Sequence, residues 1–221
     1  MRERKIMSKK GKVISAVVVV TGCLALAGSV VQNNSQANGK VSLEGFGKVL
    51  KKEYKNPEDA STKNLYAKGN YSEITKSDME KAIAYYKAKG MSEEEAEKEA
   101  YKYEKESAAL CTEAIKAGCK ATDKEVADYV SDMRAEYEGK KLDESSQKQV
   151  DEIIAQFDSP EDYWKYEKTV YQKLLPQIKY REKLEKEYSE KHAGDSKADW
   201  GKYFDNYRKE IVEKEDFKLV K

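Results

Sequence analysis

Histidine, proline and cysteine are scarce in this chain, with one, three and three copies. A single histidine leaves too few His and Cys partners for a zinc site of the usual kind. So few prolines in 221 residues leave long stretches free to run as helix. A surplus of charge is missing too: 42 Lys and Arg stand against 41 Asp and Glu. With no global field to draw nucleic acid or an acidic polymer, a basic-groove nucleic-acid binder is not expected. There is no glycine-rich phosphate loop and no internal repeat, so no cofactor is implied. Acids are abundant, but in stretches such as MSEEEAEKEA they alternate with Lys at helical spacing. That is the pattern of a solvated helix face, and it marks out no catalytic carboxylate pair.

What the chain does have is 38% charged residues and 16 tyrosines against only four phenylalanines. Tyrosine suits half-buried positions where the ring packs and the hydroxyl stays wet. The expectation is an all-α, elongated, multi-helix fold with a thin core between long helices.

The first 39 residues read as a signal peptide or membrane anchor. RERKIMSKKGK is strongly basic, and the segment from Val13 to Val31 is apolar, with no charge before Lys40. Three endings stay open. Val20-Thr21-Gly22-Cys23 resembles a bacterial lipobox, which would lipidate Cys23. Ala25-Leu26-Ala27 and Ser35-Gln36-Ala37 place small residues where a signal peptidase cuts. Left uncut, the apolar run spans roughly 28 Å at about 1.5 Å per residue, close to a bilayer's hydrocarbon thickness. Each ending puts the rest of the chain outside the cytoplasm.

Residues 40–70 are rich in Asn, Ser, Gly and Lys and read as a polar linker, with VSLEGFGKVLKKEYK as a short amphipathic helix inside it. The folded domain is expected over 71–221. Within it, Thr75 and Asp78, Ser92 and Glu95, Thr122 and Glu125, and Ser159 and Asp162 each set a hydroxyl three residues before a carboxylate. This is the capping-box pattern of a helix start. Gly90, Gly118, Gly139 and Gly194 supply stops. Together these signals predict helices over 76–89, 93–117, 123–138, 146–157, 160–192 and 197–214, with a kink at Pro176. Val126, Tyr129, Val130, Met133 and Tyr137 form one apolar stripe on the third of these, and the long fifth helix has another. The closing FKLVK reads as a short strand or a tail.

The order of these signals resembles a known family. GNYSEITKSDMEKAI looks like the entry to a SurA-like N-terminal chaperone domain: a short extended segment ending in Ile-Thr, then a helix. CKATDKEVADYV, SPEDYWKYEKTVY after Phe157, and DWGKYFDNYRKEIVEKEDFKLVK are similar to the family's later turns and its closing helix. The resemblance spans about 68–221. It implies an extracytoplasmic, ATP-independent module that cradles unfolded or partly folded exported polypeptides. Many SurA and PrsA-type foldases also carry a parvulin isomerase domain, which needs roughly a hundred further residues and a histidine pair; this chain has neither, so isomerase activity is not expected.

His192 sits near a helix C-terminus, where a partial positive charge is welcome. Cys111 and Cys119 flank a helix end. If Gly118 takes the left-handed position, Cys119 packs near Ala114 and Ile115, and reaching Cys111 requires one more turn, past the limit of about 7 Å between α carbons for a disulfide. Two buried, unpaired thiols acting as small hydrophobes are expected. The aromatics outnumber what a thin core needs, so Tyr85, Tyr86, Tyr163, Trp164, Tyr166, Trp200, Tyr203 and Tyr207 are the candidate client contacts. The reading is therefore a non-enzymatic chaperone-like protein of a bacterial envelope, Gram-positive in type. The alternative is an envelope protein that docks one folded partner.

Overall fold

The computed structural model describes residues 42–56 and 64–220, apart from the side chain of Ala198. The leader, Cys23 and all three endings considered for it lie outside the described residues. The described chain runs α1 (Glu44–Lys55), β1 (Leu65–Lys68), β2 (Glu73–Thr75), α2 (Lys76–Ala88), α3 (Glu93–Lys116) and α4 (Asp123–Glu138). It continues with α5 (Glu144–Ile154), α6 (Pro160–Lys191), α7 (Lys197–Glu215) and β3 (Lys218–Leu219). The fold is mostly helical. No helix among the described residues is long and apolar enough to cross a membrane.

Helix starts follow the hydroxyl signals. Thr75, Ser92 and Thr122 close reciprocal boxes with Asp78, Glu95 and Glu125, and Ser196 does the same with Asp199. At Ser159 only half of the box forms: its Oγ accepts from the Asp162 N–H, Pro160 fills the first helical position, and the Asp162 carboxylate also accepts from Tyr54. The α3 stop is a Schellman motif around Gly118 (φ +74°). The Cys119 N–H donates to Ala114 O (2.9 Å) and the Gly118 N–H to Ile115 O (3.0 Å).

Gly139 departs from expectation. It keeps a negative φ of −74°, and Lys140 takes the left-handed conformation at φ 51°. The Lys141 N–H then closes the motif on Glu136 O at 3.0 Å. The glycine sits one residue too early, and a side chain carries the strain. At Pro176 α6 does not break; it runs on to Lys191, and the Gln177 side-chain amide donates to Lys173 O (3.3 Å).

The packed body begins upstream of the start expected near Tyr71. Leu43, Phe46 and Leu50 are buried in the same core cluster as the later helices. The segment read as a helix within a linker is thus α1, held between α2 and α5. Gly47 lets it approach α5 closely, because a Cβ there would meet Gln156 Cγ at 2.8 Å and Ile153 Cα at 3.1 Å. The Leu43 N–H donates to Glu152 (2.9 Å), and Lys51 and Lys55 both reach Asp158.

Elsewhere α2 packs along α3, α3 touches α6 and α7, and α4 lies on α6. A three-stranded antiparallel sheet of order β2-β1-β3 ties the C-terminus back to the start, with Ala67 opposite Leu219. The buried Glu215 secures the β1–β2 turn by accepting the N–H groups of Tyr71 (2.8 Å) and Ser72 (3.1 Å).

Candidate functional site

Of the eight aromatic candidates, Tyr85, Tyr86, Tyr163, Trp164, Tyr166 and Trp200 are buried. They fill the spaces between helices as ring-on-ring contacts, such as Phe46 with Tyr85 at 5.7 Å and Tyr163 with Trp164 at 5.0 Å. Tyr207 is half-buried, and its hydroxyl meets that of Tyr180 at 2.7 Å. Only Tyr203 is exposed, at 41%. The set therefore does not form one client surface: wide interhelical gaps need large side chains, and tyrosine supplies them. Tyr203 belongs to a ladder of rings with Tyr188 and Trp200, and Tyr188 stacks on the exposed His192 at 4.4 Å. His192 lies 3.6 Å from Asp195, at the α6 C-terminus where the sequence put it.

What the structure does bring together is a cavity of about 630 Å³ bounded by α1, α2, α3, α6 and the β1–β2 hairpin. From α3 it is faced by the small residues Ser107, Ala108, Cys111 and Thr112, and from α6 by Thr169 and Val170. Residues this small on facing helices leave the space between them unfilled. A void of this size survives when polar groups in its walls can hold water or a ligand. Three rings, Tyr54, Tyr103 and Tyr166, complete the walls.

Charge in the cavity is arranged in two layers. Lys81 is buried, with Nζ 2.8 Å from Glu53 and 3.2 Å from Asp78. The Tyr166 hydroxyl donates to the other oxygen of Glu53 at 2.8 Å. Asp78 also closes the α2 cap by accepting the N–H (3.2 Å) and hydroxyl (2.7 Å) of Thr75. Burial disfavours its charge, yet Lys81, Lys173 and the Thr75 bonds outweigh that and hold its pKa below the ordinary value.

Glu104 is the second layer. Its carboxyl lines the cavity with no hydrogen-bond partner among the described residues. Burial first, and then the negative charges of Asp78 and Glu53, push its pKa to about 8, against the pull of Lys81 and Lys173. It therefore carries a proton at neutral pH. Cys111 opens on the same space as a free thiol, held in its unreactive protonated form by burial, which Lys173 offsets only in part. Cys119 is also free and packs against the core at the Gly118 corner; both thiols are half-buried where full burial was expected, because Cys111 borders the cavity and Cys119 lies at a surface turn.

Away from the cavity, Glu167 is fully buried on α6 and neither carboxyl oxygen has a hydrogen-bond partner among the described residues. Burial lifts its pKa to about 8, and the nearby Tyr163 hydroxyl offsets this only in part. Neither glutamate was singled out in the sequence, because both sit among alternating Lys and Glu. The available signal was spacing: Glu167 falls four residues after Tyr163 and four before Tyr171, within the apolar stripe. Glu104 follows Tyr103 and precedes Ala108 by the same four-residue step.

No group of three or more His, Cys, Asp and Glu suited to a metal ion occurs among the described residues. Comparison of the chain with protein-family models, with curated proteins and with solved structures finds no match. The recess offers acceptors, hydroxyls and aromatic rings.

Proposed function

We propose that the helical body is an ATP-independent, chaperone-like module that binds unfolded or non-native polypeptide outside the cytoplasm, without catalysis of its own. The observation that carries this reading is the cavity. Tyrosine rings, aliphatic side chains, hydroxyls and carboxyls in one recess match the mixed chemistry of an unfolded chain, whose peptide groups need hydrogen bonds and whose side chains need apolar cover. A second groove of about 580 Å³, with Val49, Met79 and Ile83 in its floor, lies on another face of α2 and adds apolar surface. The basic and apolar leader supports export, and an uncut run or a lipidated Cys23 would keep the module at the membrane surface.

The test is to mix residues 40–221 with an aggregating unfolded protein at several-fold excess. Suppressed aggregation and weak binding to many unfolded peptides are expected, and the absence of both refutes the reading. The exposed Tyr203, in its ladder with Tyr188 and Trp200, favours a second reading in which this end of the α6–α7 pair docks one folded envelope partner. That reading predicts one tight complex in a crosslinking pull-down in place of many weak ones.

A further inference from the structure

Two groups in the cavity lack the same thing. The Glu104 carboxyl has no partner among the described residues, and Gln177, only 4% exposed, lines the same wall with its Oε1 unpartnered. Both are acceptors that an N–H donor would satisfy. The charge balance points the same way, since Glu53, Glu73, Asp78 and Glu104 face only Lys81 and Lys173. Lys81 is already engaged by Glu53 and Asp78, and Lys173 is exposed. The rings of Tyr54, Tyr103 and Tyr166 line the same space, and aromatic rings attract cations.

We propose that this cavity binds an organic cation, the ammonium or guanidinium of a Lys-like or Arg-like group, with Glu104 as its counter-charge. The group can come from a side chain of a bound polypeptide or from a free amine. In the first case the inference rests on the function proposed above and names what the client presents. Binding is an exchange: the entering cation takes the place of the proton on Glu104, which leaves to solvent, so the charge of the site does not change. The groups that set this exchange are Glu53 of α1, Asp78 and Lys81 of α2 and Lys173 of α6. Because the proton must leave, affinity falls about tenfold for each pH unit below about 8 and is flat above it.

Titration calorimetry of the full-length chain with butylammonium chloride at pH 6, 7, 8 and 9, with butanol as the neutral isostere, tests this. Saturable butylammonium binding is expected, with the stated pH profile and release of protons below pH 8. Glu104→Gln should weaken it about tenfold or more, and should fold, since the free protein already holds this carboxyl neutral. Lys173→Gln removes a competing exposed cation; below pH 8, where one positive charge replaces another, affinity should change little, and at pH 9, where Glu104 is already ionised, it should rise about threefold or more. No saturable binding, equal binding of butanol, or indifference to Glu104→Gln overturns the proposal. A third arm compares an unfolded peptide containing lysines with its Lys→Gln counterpart. Butylammonium binding without binding of either peptide leaves this site standing and removes the polypeptide reading. Equal binding of both peptides without butylammonium binding does the reverse.

Discussion

Glu167 makes the stability of this fold depend on pH in a way that one substitution isolates. The side chain is fully buried, its oxygens have no hydrogen-bond partner among the described residues, and burial raises its pKa from the ordinary 4.5 to about 8. The unfolded chain releases this proton near pH 4.5, whereas the folded chain keeps it to about pH 8. Between those values the folded state binds more protons, so the stability linked to this group is greatest below pH 4.5 and falls as pH rises through 8. At about 1.4 kcal/mol per pH unit, the loss is about 3 kcal/mol by pH 7 and about 5 kcal/mol above pH 8. Glu167→Gln keeps the shape and removes the titration. Urea unfolding of both proteins at pH 5, 7 and 9, followed by tryptophan fluorescence, should show the variant's advantage growing by several kcal/mol with pH. Glu104 titrates in both proteins and cancels in the difference. A difference that stays constant from pH 5 to 9 refutes the reasoning.

Gly47→Ala drives a methyl into Gln156 and Ile153, so thermal or urea unfolding should show a loss of about 1 to 3 kcal/mol; an unchanged midpoint would mean that α1 is not seated on α5. Lys140→Gly relieves a left-handed side-chain residue at φ 51° and should stabilise by about 0.5 to 1 kcal/mol in the same assay. Lys81→Met removes the buried cation that Glu53 and Asp78 share and should cost about 3 to 5 kcal/mol in urea unfolding at pH 7; an unchanged midpoint would mean that the pairing does not hold α1 to α2.

Helix boundaries were legible because they depend on local chemistry. A hydroxyl three residues before a carboxylate closed a box at Thr75, Ser92 and Thr122, and the Gly118 corner formed with Cys119 packed where the spacing put it. Val126, Val130 and Met133 form the buried stripe of α4 as their rhythm requires. The failures are tertiary. α1 looked like part of a tether because its neighbours are polar, and nothing local records that Leu43, Phe46 and Leu50 meet α2 and α5. The strand Leu65–Lys68 is too short to carry a period of its own and exists through its pairings with β2 and β3.

The site was the least legible part. Aromatic abundance suggested a surface, but the rings went inside to fill the gaps between helices. The cavity arises from small residues on two helices far apart in sequence, Ser107 to Thr112 on α3 and Thr169 and Val170 on α6. No single segment contains it, and the partnerless state of Glu104 appears only once four helices surround that carboxyl.

The central claim is that polypeptide binds in this cavity, and filling the cavity tests it most directly. A variant carrying Ser107→Phe and Thr169→Phe places two rings in the recess, and near-UV circular dichroism verifies that the fold persists. Binding of a fluorescent unfolded peptide, measured by anisotropy for wild type and variant side by side, should drop about tenfold or more in the variant. Equal affinity in a folded, cavity-filled variant would contradict the account.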